Sequence, residues 1–245
     1  MKQNKYDDPE FFAAYGAMPR SVEGLAKAGE WEALRLMLPD MTGKRVLDLG
    51  CGFGWHCRYA REAGASTVVG VDISENMLAR ARELTDDSAI EYRRGAIEDI
   101  DVVDGEFDVV LSSLALHYVV DIDAVFANLH RGLTSGGYFV FSVEHPIFTA
   151  RAEQDWCTDI EGRRLHWPVD SYQAEGARRT NWLADDVVKY HRTQSTYLNS
   201  LIRAGFQVEC VREPSPSAAM IEADSSMADE ARRPMFLLIS AVKTI

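Results

Sequence analysis

This chain is poor in the residues that would place it in several large functional classes. Its 245 residues include four cysteines, Cys51, Cys57, Cys157 and Cys210, and none of them forms a Cys-x-x-Cys pair. The pattern supports neither a disulfide framework nor a zinc ribbon, so a reducing, cytoplasmic setting is expected. The six histidines include no i, i+4 pair, and no metal is expected. Basic residues are also scarce: 26 Lys and Arg against 38 Asp and Glu leave a formal net charge of −12. A nucleic-acid partner needs a basic surface, and none is expected. Apolar runs fall short of the roughly 18 residues that span a bilayer, and the N-terminus has no signal-peptide core, so no membrane partner is expected. Internal repeats and low-complexity tracts are missing. At 47% hydrophobic, the chain can bury the core of one α/β domain over 1–245, with an insertion.

The most informative stretch runs from Val46 to Gly54: an apolar strand ending in an acid, then Gly50, Gly52 and Gly54. After the next helix, Thr67 to Val71 forms a second apolar run ending on Asp72. Glycines leave the backbone open to a ligand at the carboxyl edge of a parallel strand, and an acid on the next strand can grip a ribose diol. The spacing argues against a dinucleotide. Gly-x-Gly-x-x-Gly would put its third glycine at Trp55, and Asp48 would repel a pyrophosphate. A nicotinamide oxidoreductase is therefore disfavoured. S-Adenosylmethionine carries a sulfonium and an ammonium against one carboxylate, with no phosphate, and fits better.

Alternating strands and helices imply a doubly wound parallel sheet. Strands are expected over 45–49, 67–71, 90–93, 107–112 and 138–143, then 206–211 and 235–242. Pro9 opens a short aromatic helix. A helix over 21–37 is expected to start on Ser21, with Glu23 and Glu30 toward solvent. Ser74, Asp121 and Thr193 are N-cap candidates. Between Glu144 and Arg192 the rhythm breaks into a long aromatic connection, and such connections inside a compact domain are usually functional.

Three ordered segments carry a family resemblance. Val46 to Gly54 resembles motif I of the class I S-adenosylmethionine-dependent methyltransferases, and Val71 to Leu78 resembles the segment after it. Phe107 to Tyr118 resembles the fourth strand and its catalytic-edge loop. The resemblance implies a Rossmann-like, seven-stranded, mostly parallel sheet whose last strand is antiparallel. It also implies a helical cap over 1–40 and a substrate-covering lid over 146–192.

The resemblance also implies cofactor contacts. Gly50, Cys51, Gly52 and Gly54 would pass beneath the methionine half, with Asp48 near its ammonium. Asp72 would take the ribose hydroxyls, and Ile73 and Met77 the adenine faces. The adenine edge falls to Ala96, Ile97 and Glu98: either the Glu98 carboxylate or the backbone at Ile97. Ser112 would sit at the strand edge. Tyr15 and Arg20 would close over the cofactor, with Arg20 on its carboxylate. His117 is the candidate catalytic base, since an imidazole can take a proton near neutral pH; the alternative is a ring that only ties down a loop. Tyr6, Tyr118, His145, Trp182 and His191 are expected to face the acceptor, although some lid aromatics would form the lid's own core.

The expected activity is direct in-line methyl transfer to a small molecule by a monomer or homodimer, with S-adenosylhomocysteine as product. Tyr6 to Phe12, Glu144 to Phe148 and Arg233 to Leu238 resemble a narrower bacterial group, the azapteridine N-methyltransferases of toxoflavin biosynthesis, which implies ring N-methylation of a flat bicycle. A C- or O-methyltransferase of the same fold is the alternative. A cofactor-binding protein without turnover is a third reading.

Overall fold

The computed structural model describes residues 2–244. The chain begins with three short helices, α1 (Pro9–Gly16), α2 (Pro19–Val22) and α3 (Trp31–Arg35). Strands β1 (Arg45–Leu49), β2 (Thr67–Asp72), β3 (Ile90–Arg94), β4 (Phe107–Ser113) and β5 (Leu133–Glu144) then alternate with α4 (Trp55–Glu62), α5 (Glu75–Glu83) and α6 (Ile122–Gly132). Beyond β5 lie α7 (Pro146–Thr149), a ribbon of β6 (Cys157–Thr158) and β7 (Arg164–His166), and a hairpin of β8 (Gly176–Trp182) and β9 (Ala184–His191). The chain returns through α8 (Gln194–Ala204), β10 (Phe206–Arg212), two short helices, α9 (Ala218–Ala223) and α10 (Met227–Glu230), and β11 (Phe236–Lys243).

The large sheet has the order β10-β11-β5-β4-β1-β2-β3. All neighbours in it are parallel except β11, which runs antiparallel to both β5 and β10. This is the mostly parallel, seven-stranded class I methyltransferase sheet. Strand order reverses between β1 and β4, so their carboxyl ends form the crevice where open α/β sheets hold ligands.

Alternation along β5 builds the layers. Phe139, Phe141 and Val143 pack with Phe126, Tyr197 and Leu201 of α6 and α8, while Val140 turns to the opposite face with Trp31 and Leu34. Next to it, Val46 and Val68 pack with Cys57, Ala60 and Leu78 of α4 and α5. Three N-caps form as expected. Ser74 Oγ accepts from Met77 N, Asp121 from Ala124 N and Thr193 from Thr196 N, each contributing about 1 kcal/mol.

One local expectation fails. No continuous helix covers 21–37. Gly24 adopts φ +71° with its α-carbon against the Trp55 ring, where an added Cβ would come within 2.7 Å. That left-handed residue ends α2 and redirects the chain. Ser21 therefore lies inside α2 rather than capping a helix, and Glu30 turns inward to 1% exposure.

Candidate functional site

A cavity of about 750 Å³ opens at the crevice between the ends of β1 and β4. Its first wall is the glycine loop after β1. Gly50, Gly52 and Gly54 all have positive φ, but for different reasons. A Cβ on Gly50 would lie 2.3 Å from the Ala115 Cβ, and one on Gly54 would lie 2.1 Å from the Tyr92 hydroxyl. Those two glycines permit close packing. At Gly52 the nearest atom is the Tyr15 hydroxyl, 4.0 Å away, so its bare face looks into open space.

Asp72, at the end of β2, is pinned by backbone. Its Oδ2 accepts from Gly52 N at 2.9 Å and its Oδ1 from Ser74 N at 2.9 Å. Burial pushes this carboxyl up to about 6, against those backbone donors. Each oxygen keeps a further lone pair for a hydroxyl donor. Beside it, Ile73, Met77, Ala96 and Ile97 line an apolar slot, with Glu98 at its rim, where Lys2 lies 3.8 Å away.

The opposite half of the cavity is aromatic and polar. Tyr6, Tyr15, Tyr118 and Trp182 line it, with Tyr6 edge-on to Tyr15 at 5.3 Å and to Tyr118 at 6.5 Å. Below them lie His117, Glu144, Gln154 and Lys189. Lys189 is 1% exposed, and its Nζ donates to Glu144 Oε1 at 2.5 Å. Gln154 Nε2 donates to the other Glu144 oxygen at 3.1 Å. Burial alone would raise the Glu144 carboxyl, but His117, Lys189 and Gln154 together hold it below the usual range.

His117 Nδ1 accepts from Glu144 N at 3.4 Å, which places the neutral ring's proton on Nε2. Burial pushes its pKa down to about 4, so the ring is neutral at pH 7. On this geometry Nε2 is a donor, whereas a base role would need the other tautomer.

An N-terminal strap crosses this site. The Gln3 side chain accepts from Val188 N at 2.8 Å and Lys5 Nζ donates to Asp185 O at 3.1 Å, both on the hairpin. Asp7 Oδ1 accepts from Ser74 Oγ at 2.6 Å and Asn76 N at 3.1 Å, at the start of α5.

Several expected site residues lie off the cavity wall. Asp48 is buried behind it and accepts from Cys57 Sγ at 3.2 Å. Cys51 lies off this wall but lines a small recess beside the glycine loop, with its sulfur packed on Gly70, where an added Cβ would lie 3.0 Å away. Gly54 packs on Tyr92, and Ser112 Oγ donates to Leu49 O at 2.9 Å inside the sheet. Both His145 nitrogens are engaged, by Glu213 at 2.7 Å and Ile147 N at 3.0 Å. Both nitrogens of His191 are also taken, by Thr149 Oγ1 at 2.8 Å and Tyr172 O at 2.9 Å. Arg20 does reach the wall, but its Nη2 donates to Glu30 Oε1 at 2.9 Å. Sequence reasoning missed Glu30, Lys189 and Gln154. A lone lysine in the apolar run Val187-Val188-Lys189-Tyr190 was the available signal.

Residues 47–141 match the methyltransferase domain family. An S-adenosylmethionine-dependent methyltransferase of solved structure from Mesorhizobium loti is 53% identical, covers 89% of this chain and all of its own, and superposes with a TM-score of 0.84. The chain belongs to the S-adenosylmethionine-dependent methyltransferases. Among particular proteins, an uncharacterized Haemophilus influenzae protein is 34% identical over 99% of this chain and 98% of its own. A malonyl-[acyl-carrier protein] O-methyltransferase from Pectobacterium atrosepticum is 33% identical over 60% of this chain and 56% of its own.

The residues present fit that cofactor. The open face of Gly52, the Asp72 lone pairs and the apolar slot suit the nucleoside. A recess of about 50 Å³ beside the glycine loop, lined by Ser21, Trp55 and His56, suits a charged amino-acid end. Ser21 Oγ, Trp55 Nε1, His56 Nε2 and the nearby Glu30 Oε2 are all buried without partners. Among the described residues no helix is long and apolar enough to cross a membrane, and no His, Cys, Asp and Glu group is arranged to hold a metal ion.

Proposed function

We propose that this methyltransferase methylates a ring nitrogen of a small, planar heteroaromatic acceptor, an azapteridine of the toxoflavin type. The carrying observation is the aromatic half of the cavity, where Tyr6, Tyr118 and Trp182 offer flat walls above a neutral His117. The bound cofactor supplies an activated methyl group on a sulfonium. This chain's own work is therefore alignment and exclusion of water. Asp72 and the Gly52 face hold the nucleoside. Residues 1–40 act as a cap and 146–192 as a lid over the acceptor. The acceptor's methylated nitrogen uses its own lone pair, so no residue need remove a proton first.

Transfer to a carboxyl oxygen, the activity named for the malonyl-[acyl-carrier protein] relatives, is the second reading. It would call for an unpaired cation facing the acceptor. Of the cations on the wall, Lys189, Arg20 and Lys2 are each paired with a carboxylate, while Lys5 donates to a backbone carbonyl, Asp185 O, on the hairpin. The test is incubation with methyl-labelled cofactor and azapteridine precursors, following S-adenosylhomocysteine release and the labelled atom. Label on a ring nitrogen is expected. Turnover on carboxylic acids with none on the heterocycles would sink the assignment.

A further inference from the structure

The floor of the acceptor half joins two adjacent strand ends, and its polar groups are arranged in a definite sense. His117 follows β4, Glu144 ends β5, and the contact between Glu144 N and His117 Nδ1 locks them side by side. His117 Nε2 has no partner among the described residues and belongs to a cavity-lining ring, so it offers one N–H. Glu144 already accepts one bond on each oxygen, from Lys189 and from Gln154, which leaves a lone pair on each.

That carboxylate is held with unusual care. Gln154 also accepts from Thr180 Oγ1 at 3.1 Å and Lys189 Nζ at 3.3 Å. It does so from a left-handed backbone, φ +48°, that a non-glycine residue keeps only where its surroundings hold it. Lys189 cancels the Glu144 charge, so the floor presents a donor beside an acceptor with no net charge. At this floor an ammonium acceptor would find the carboxylate already neutralised, and a carboxylate acceptor would find Lys189 already taken.

We propose that His117 and Glu144 read the amide edge of a neutral, flat heterocycle, with Nε2–H of His117 donating to its carbonyl oxygen and the Glu144 carboxylate accepting from the adjacent ring N–H. Lys189 and Gln154 are positioning residues that orient Glu144. The inference rests on the planar-acceptor reading and adds which edge of the ring faces the protein.

Calorimetry on the protein saturated with S-adenosylhomocysteine tests it with three probes: pteridine-2,4-dione, its 1,3-dimethyl derivative and histamine. The dione should bind, the dimethyl derivative at least about tenfold more weakly, and histamine should give no heat; a lost hydrogen bond to a charged group accounts for a factor of that order. His117→Phe should weaken both pteridines by a similar factor, because both keep their carbonyls. Equal binding of the two pteridines to the unmodified protein would overturn the edge assignment while leaving a planar acceptor standing. No binding of either pteridine, whether or not histamine binds, would overturn both.

Discussion

The Nδ1 of His117 lies 3.4 Å from the backbone nitrogen of Glu144, and this single contact sets which way the ring's proton faces. With burial holding the pKa near about 4, the ring does not titrate in the neutral range. Asp72, pushed up to about 6, can give a limb close to the ordinary histidine value of ~6.5. His117→Asn should therefore leave the pH profile of kcat/KM for the acceptor, at saturating cofactor, unchanged in that range. A limb there that disappears in His117→Asn would restore the base role and remove the donor assignment.

Asp72→Ala should weaken S-adenosylhomocysteine binding by about 1.5–3 kcal/mol, the cost of losing hydrogen bonds to a charged group. Part of that loss is indirect, since Asp72 also holds Gly52 N. Titration calorimetry reads it directly, and an unchanged Kd would take Asp72 out of the site.

The glycines of the loop should separate by readout. Gly54→Ala drives a Cβ onto the Tyr92 hydroxyl and should lower Tm, with a destabilisation of roughly 1–3 kcal/mol expected for overpacking. Gly52→Ala meets no such neighbour and should cost roughly 1 kcal/mol in backbone strain, yet place its methyl where the cofactor lies. Its Kd should rise more than its Tm falls. The reverse pattern would contradict the assignment of Gly52 as the open face.

Asp48 gives a pH-dependent stability test. Burial pushes its carboxyl up to about 7, against the Cys57 hydrogen bond. A raised folded pKa means its contribution is fully present below its unfolded value of ~3.9 and is lost as pH rises through about 7. Asp48→Asn should then be more stable than the parent above neutrality, by on the order of 2–4 kcal/mol, with the gap closing toward acid. Buried His56 and His117 titrate alike in both proteins, so they cancel in the comparison. Thermal melts in which the parent stays equal or superior at alkaline pH would rule the buried charge out.

Much of this was legible in the chain because local rules sufficed. The β1 and β2 runs, the positive-φ glycines and the Ser74 cap each follow from a few adjacent residues. What stayed hidden depended on tertiary partners. Glu30 has the spacing of an outward helical residue until Gly24 breaks the helix and Arg20 meets it inside. His145 and His191 have suitable chemistry and position, but Glu213, Thr149 and Tyr172 use up their nitrogens. Nothing local marks Gln154 as the partner of a strand end ten residues earlier.

The segment from Gln3 to Asp7 is fastened at one end to the β8–β9 hairpin and at the other to the first turn of α5. A single clasp thus lies across both compartments of the cavity. The five residues of this clasp include Tyr6, which also lines the acceptor wall, so fastening and wall are one piece of chain.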